Sequence, residues 1–186
     1  YSQDDVTIGV SLAGALTPAG LGPSTVIPLM NHGFIDWLVG TGANMYHDIH
    51  YAFNLPMFRG SHTVDDVDLR AKGITRIYDI LFDYEDVLME TDRRLREILI
   101  RPEFQKEMGT REFYHHLGKV LSELEEKHNL GQVSILAAAY RNGVPVFTSS
   151  PGDSTIGMNV AGLELLAESQ GLSDKFKLKI NPSIDV

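Results

Sequence analysis

Short apolar runs closed by small residues alternate along this chain with stretches of helical spacing. The clearest run, Trp37-Leu38-Val39, stops abruptly at Gly40-Thr41-Gly42-Ala43 and gives way to a polar segment over 44–50. A strand buried on both faces of a parallel sheet has this character, continuous apolar residues bounded by turn residues. Residues 6–12 and 144–147 predict two further strands, and 74–81 and 176–180 two more. Helices are predicted from a Ser24 or Thr25 cap to Asn31, over 44–52, over an acidic stretch at 64–72, over 133–141 before Asn142-Gly143, and over 158–168. Between 84 and 128 the character changes. Val87, Leu88, Leu95, Ile98 and Leu99 recur at helical spacing, as do Phe113, Leu117, Val120, Leu121 and Leu124, with breaks near Pro102 and Gly109. Strand and helix alternate through most of the rest. The pattern therefore predicts one α/β domain over 1–186, built on a doubly wound, mainly parallel sheet with right-handed connections.

Three strand ends share a composition. Gly14 lies in a loop of small residues and prolines, Thr41 in the Gly-Thr-Gly-Ala corner, and Gly152 in Thr148-Ser149-Ser150-Pro151-Gly152-Asp153-Ser154-Thr155. Each joins a strand to a helix. There the free N–H groups and the helix dipole favour an anionic group. One helix end contributes only about 0.3–1 kcal/mol at an exposed site, so several must converge to make a site. None of the loops fits G-x-G-x-x-G with a later acidic residue, nor the Walker pattern. Asp153 has two readings: a carboxylate bonded to a ribose hydroxyl or a cationic ligand, or an Asx-turn or cap for the next helix.

Composition narrows the picture. A net charge of −9 provides no basic patch for nucleic acid or an anionic membrane, and is compatible with a small cationic substrate. There are no cysteines, so disulfides, thiolate metal sites and a Cys nucleophile are excluded together. No apolar run approaches the roughly 20 residues that span a bilayer. A cytoplasmic enzyme or binding protein is the expectation. His47 and His50 stand at i, i+3 on a predicted helix, a spacing two metal ligands can use, but no third ligand accompanies them; no metal site is expected. His115-His116, Asp65-Asp66 and Asp83-Tyr84-Glu85-Asp86 read as solvated polar faces.

Taken in order, the motifs resemble the deoxyhypusine synthase family, in particular its bacterial synthase-like branch. The matching text is Ser11-Leu12-Ala13-Gly14-Ala15-Leu16-Thr17-Pro18-Ala19-Gly20, then Gly33-Phe34-Ile35-Asp36-Trp37-Leu38-Val39-Gly40-Thr41-Gly42-Ala43-Asn44. Leu69-Arg70-Ala71-Lys72-Gly73-Ile74-Thr75-Arg76-Ile77, Val144-Pro145-Val146-Phe147 and Gly152-Asp153-Ser154-Thr155-Ile156-Gly157 complete the series. The resemblance implies a Rossmann-like fold and an NAD-dependent aminobutyl transferase that works as a homotetramer. In such enzymes NAD takes a hydride from spermidine, and an enzyme lysine captures the four-carbon piece as an imine before passing it to an acceptor amine. The acceptor is a protein lysine in the true synthases and a small diamine in homospermidine-forming relatives. On this resemblance NAD contacts fall on Gly14, Ala15, Leu16, Thr17 and Pro18, on Thr41, Gly42 and Ala43, and on Asp153.

Two departures qualify it. Where the synthases carry adjacent glutamates that hold the polyamine, this chain has Tyr46 and His47, with Asp48 after them; these three are the expected substrate contacts. Five positions past Asp153, where the synthases keep a second acid, stands Met158. A polyamine ammonium needs carboxylates, so a different amine or guanidine fits better than spermidine. The family's catalytic lysine falls beyond a point corresponding to Val186, and none of the seven lysines occupies its place. The expectation is thus the central part of a longer synthase-like chain, incomplete at its carboxyl end. An NAD-binding module, a homospermidine-type synthase acting on small amines, and a structural oligomer are the alternatives.

Overall fold

The computed structural model describes residues 5–14 and 16–186. Its elements run in order as β1 (Gly9–Leu12), α1 (Ile27–Asn31), β2 (Trp37–Gly40), α2 (Gly42–Ala52), β3 (Phe58–Arg59), α3 (Asp66–Ala71), β4 (Ile74–Ile77) and β5 (Ile80–Asp83). After these come α4 (Glu90–Leu99), β6 (Glu107–Met108), α5 (Thr110–His128), α6 (Ile135–Asn142), β7 (Val146–Phe147), α7 (Thr155–Ser169) and β8 (Lys179–Ile180). The molecule is an α/β protein, as the alternation predicts.

The heart is a parallel sheet in the order β1-β2-β7, with Gly9 opposite Trp37, Leu12 opposite Gly40, and Leu38 opposite Val146. β2 is central, which explains its unbroken apolar character, since Leu38 is fully buried. Helices α2, α5 and α6 supply most of the surrounding core through Met45, Ile49, Phe113, Leu117, Leu121 and Leu136. Helices α5 and α6 pack very closely: a β-carbon on Gly118 would lie 2.3 Å from the carbonyl oxygen of Leu136. Gly143 ends α6 in the left-handed conformation at φ 68°, as the Asn142-Gly143 signal predicts.

Three expectations need correction. The strands do not form one sheet: β3, β5 and β4 make a separate antiparallel sheet, and β6 pairs in parallel with β8 alone. The run at 74–81 is not one strand but most of a hairpin, β4 and β5 meeting through Ile77 opposite Ile80 and turning at Tyr78, whose φ is 53°. Nor do Ser24 and Thr25 cap a helix. The chain is already helical from Gly22, as a π-helical turn over Gly22–Val26 that runs straight into α1, and the Ser24 hydroxyl donates back to the Gly20 carbonyl at 2.7 Å. The acidic runs also differ from plain solvated faces. Asp65 accepts from the amides of Val67 and Asp68, and Asp83 from those of Glu85 and Asp86, each opening a helical segment.

Candidate functional site

The carboxyl ends of β1, β2 and β7 lie side by side, and the corners that follow them are tied together. The Thr41 amide donates to the Leu12 carbonyl at 3.2 Å, and the Thr41 hydroxyl accepts from the Asn44 amide at 3.4 Å, capping α2. Asn44 then staples the first corner to the second. Its Oδ1 accepts from the amides of Leu16 (3.2 Å) and Thr17 (3.4 Å), while its Nδ2 donates to the Thr41 hydroxyl at 3.0 Å. The Thr17 hydroxyl returns a bond to the Asn44 carbonyl at 2.9 Å. The third corner presses on the second: a β-carbon on Gly42 would lie 2.3 Å from the Ser154 hydroxyl oxygen. Thr148, at the end of β7, donates to the Gly40 carbonyl at 3.1 Å. Gly14 turns at φ 74°, a conformation that glycine adopts freely, with open space where a side chain would stand.

Gly14, Thr41, Ala43, His47, Ile77 and Asp153 line a cavity of about 380 Å³. A smaller one of about 140 Å³ lies along the strand ends, walled by Ser11 to Ala13, Val39 to Thr41 and Thr148 to Ser150, and shares Thr41 and Asp153 with the first. Two roomier hollows lie elsewhere, about 1030 Å³ beside α3 and β4 and about 620 Å³ at the start of α5. Neither contains any of the three corners. The strand-end cavities are favoured because polar groups from distant parts of the sequence converge there.

The residues expected at the site divide clearly. Gly14, Thr41, Ala43, His47 and Asp153 meet on the larger cavity, and Gly42 forms the close contact behind it. Ser154, not Asp153, stands at the start of α7, and the Asp153 carboxylate has no hydrogen bond or ion pair among the described residues. The cap reading of Asp153 is thereby excluded. Thr17 and Pro18 are buried behind the rim, where Thr17 binds Asn44 and the Pro18 carbonyl accepts from the Tyr51 hydroxyl; Leu16 packs against the core. Ala15 lies outside the described residues. The sequence pattern points to no role for Asn44 or Ile77. Both stand in the quoted motifs, and Ile77 reaches the cavity from the hairpin.

Of the three expected substrate contacts only His47 lines the cavity. Asp48 is turned to the opposite side, where its carboxylate accepts from the Ile135 amide (2.7 Å), the Leu136 amide (3.0 Å) and the Ser134 hydroxyl (2.6 Å) at the start of α6. It is fully buried and spent as a structural cap, although burial pushes it up to about 6 against the pull of those bonds. The Tyr46 hydroxyl donates to Asp92 at 2.8 Å, and burial beside that carboxylate raises the phenol far above its usual range. Asp92 also accepts from Asn159 Nδ2 at 2.9 Å, joining α2, α4 and α7. His47 Nδ1 lies 3.0 Å from His50 Nε2, and His50 Nδ1 lies 2.8 Å from the Thr91 hydroxyl. Burial lowers His47 to about 4 and His50 to about 3, so both rings are neutral near pH 7.

Small and hydroxyl residues, a carboxylate with no partner among the described residues and a neutral imidazole gather at the carboxyl edge of a parallel sheet, the edge where α/β proteins bind ligands. Comparison with known proteins makes the class specific. The family model for deoxyhypusine synthase matches residues 1–185. The chain is 52% identical over 184 residues to a deoxyhypusine synthase-like protein of Nostoc sp., covering 99% of this chain and 46% of that protein. A protein of the same description from Thermosynechococcus vestitus is 51% identical, over 99% of this chain and 44% of its own length. A crystal structure of a candidate deoxyhypusine synthase from Entamoeba histolytica superposes with a TM-score of 0.63 at 15% identity, over the whole of this chain and 55% of that one, and so shares its fold. The chain belongs to the deoxyhypusine synthase family. It spans a little under half the length of the curated relatives it matches. Among the described residues no helix is long and apolar enough to cross a membrane.

Proposed function

We propose that this chain forms the dinucleotide-binding part of an NAD-dependent transferase that moves an aminobutyl or similar alkylamine group from a polyamine-type donor to an acceptor amine. The observation that carries the reading is the meeting of Gly14, Thr41, Ala43 and Asp153 on one cavity at the strand ends. The groups present fit NAD. The start of α2 offers amides toward a pyrophosphate, the glycine corners let backbone come close, and the Asp153 carboxylate, without a partner among the described residues, is suited to a ribose hydroxyl. When bound, NAD would supply a hydride acceptor for a carbon beside the donor nitrogen. The chain's own part is to hold both molecules at the rim and to exclude water from beneath it with Thr148, Gly42 and Ser154.

The three-stranded sheet is read as one portion of a larger Rossmann-like, doubly wound sheet, and the protein as a cytoplasmic homotetramer, following the family resemblance. Its donor is read as a polyamine-type amine other than spermidine itself, because Asp153 is the one carboxylate on the cavity among the described residues. Among the described residues no lysine lines either strand-end cavity. Mixing the intact protein with NAD and candidate amines, followed by mass spectrometry of the products, tests the reading. A new aminobutylated amine is expected. No product from any donor, together with no NAD binding by calorimetry, would refute it.

A further inference from the structure

Resting on that reading, we propose that Ile77 is a specificity residue for the donor amine: its side chain is the apolar wall against which the methylenes of the alkylamine lie, so that it sets how strongly the site rewards each added methylene. Gly14, Thr41, Ala43, His47, Ile77 and Asp153 line the larger strand-end cavity, and Ile77 is the one apolar side chain bigger than alanine among them. The glycine corners, the α2 amides and Asp153 are already given to the dinucleotide. His47 is left, standing where a substrate contact is expected. An alkylamine brings apolar matter as well as charge, and its methylenes gain from burial only where an apolar surface covers them.

The pairing of the hairpin fixes where the Ile77 side chain points. Directly opposed residues of an antiparallel pair share a face, as do residues two apart on one strand. Thr75 stands opposite Phe82 and Ile77 opposite Ile80, so these four side chains lie on one face. Phe82 is 2% exposed, and its ring meets those of His47 and His50 with centroids 6.1 Å away. The face that carries Ile77 is therefore the one laid on α2 beside His47. Arg76 points the other way, where its Nη2 donates to Asp66 of α3 at 2.9 Å. Its Nη1 donates to the Tyr78 carbonyl at 3.0 Å, and the Tyr78 ring stacks on that of His62 with centroids 4.9 Å apart. Two side-chain contacts thus hold the left-handed turn that follows Ile77, and with it the position of the wall.

Calorimetry on the intact, NAD-loaded protein reads the assignment with 1,3-diaminopropane, 1,4-diaminobutane and 1,5-diaminopentane as probes. In the parent, affinity is expected to rise about two- to fourfold for each added methylene. Ile77→Thr keeps the β-branched shape but gives up apolar surface. It is expected to weaken 1,5-diaminopentane by about tenfold and 1,3-diaminopropane by at most about threefold, with NAD affinity held within about twofold. Ile77→Val, one methylene shorter, is expected to fall between, and it carries the test if the threonine variant fails to fold by circular dichroism. A residue that only shaped the hairpin would weaken all three diamines by the same factor. That result, a loss confined to NAD, or an unchanged series would each overturn the proposal, as would a parent that binds NAD but none of the diamines. A parent that binds no NAD would instead refute the functional reading, and the assignment of Ile77 would fall with it.

Discussion

Gly42 and Ser154 approach so closely that a β-carbon on the glycine would sit 2.3 Å from the serine hydroxyl oxygen and 2.5 Å from its Cβ. Two corners more than a hundred residues apart in sequence are thereby pressed into one wall. In an ordinary helix the change from glycine to alanine stabilises. Here Gly42→Ala is expected to destabilise by about 1–3 kcal/mol, the usual range for overpacking, and to weaken NAD binding. Urea unfolding and calorimetry check the two effects; a stabilised variant would mean that the corners are not in contact.

Asp48 is expected to matter for stability rather than for the ligand. Its carboxylate satisfies two amides and a hydroxyl at the buried start of α6. Asp48→Ala strands all three and is expected to cost about 3 kcal/mol or more, read as a lower urea midpoint. NAD affinity under native conditions should stay within about twofold if only stability changes.

Asp153 is expected to behave in the opposite way. Its side chain is exposed and bonds to nothing among the described residues, so Asp153→Asn should leave stability within about 0.5 kcal/mol. Loss of a charged acceptor to a ribose hydroxyl should weaken NAD by about ten- to a hundredfold. Calorimetry on folded variant protein would decide, and unchanged affinity would remove Asp153 from the cofactor site.

The histidine pair predicts a pH dependence of stability. Burial holds His47 at about 4 and His50 at about 3, below an unfolded value of about 6.5. Between these values the unfolded chain binds more protons than the folded one, so stability rises with pH and is lost as pH falls from about 6.5 toward 4. Asp48, raised to about 6 from an ordinary carboxylate value, acts in the opposite sense between about 4 and 6. Comparing the parent with His50→Gln isolates the histidine contribution. The parent's urea midpoint should fall more steeply on acidification than the variant's; parallel slopes would count against neutral buried rings.

The corners were legible in the sequence because their chemistry is local. An apolar run that stops at Gly40-Thr41-Gly42 can be recognised without knowing what packs on it, and the convergence of Gly14, Thr41 and Asp153 follows from parallel strands lying in order. The hairpin was not legible. Ile74 to Leu81 carries no Asn-Gly or Asp-Gly, and its turn is made by Tyr78 in a left-handed conformation that tertiary packing must hold. The three residues Tyr46, His47 and Asp48 were indistinguishable by spacing, since each follows the same strand end. Only their partners Asp92, His50 and Ser134, which lie between three and eighty-six residues away along the chain, sort them into an anchored phenol, a cavity-facing imidazole and a buried cap. Helix periodicity gives the direction of a side chain but not the identity of what it meets.

The bonds of Asn44 bear on how binding begins. Since one amide side chain grips both the Leu16-Thr17 backbone and the Thr41 hydroxyl, neither strip of the rim can swing without dragging the other. A dinucleotide would arrive at a socket already shaped, with little loop entropy left to surrender on contact, and the whole rim should stiffen or loosen as a unit.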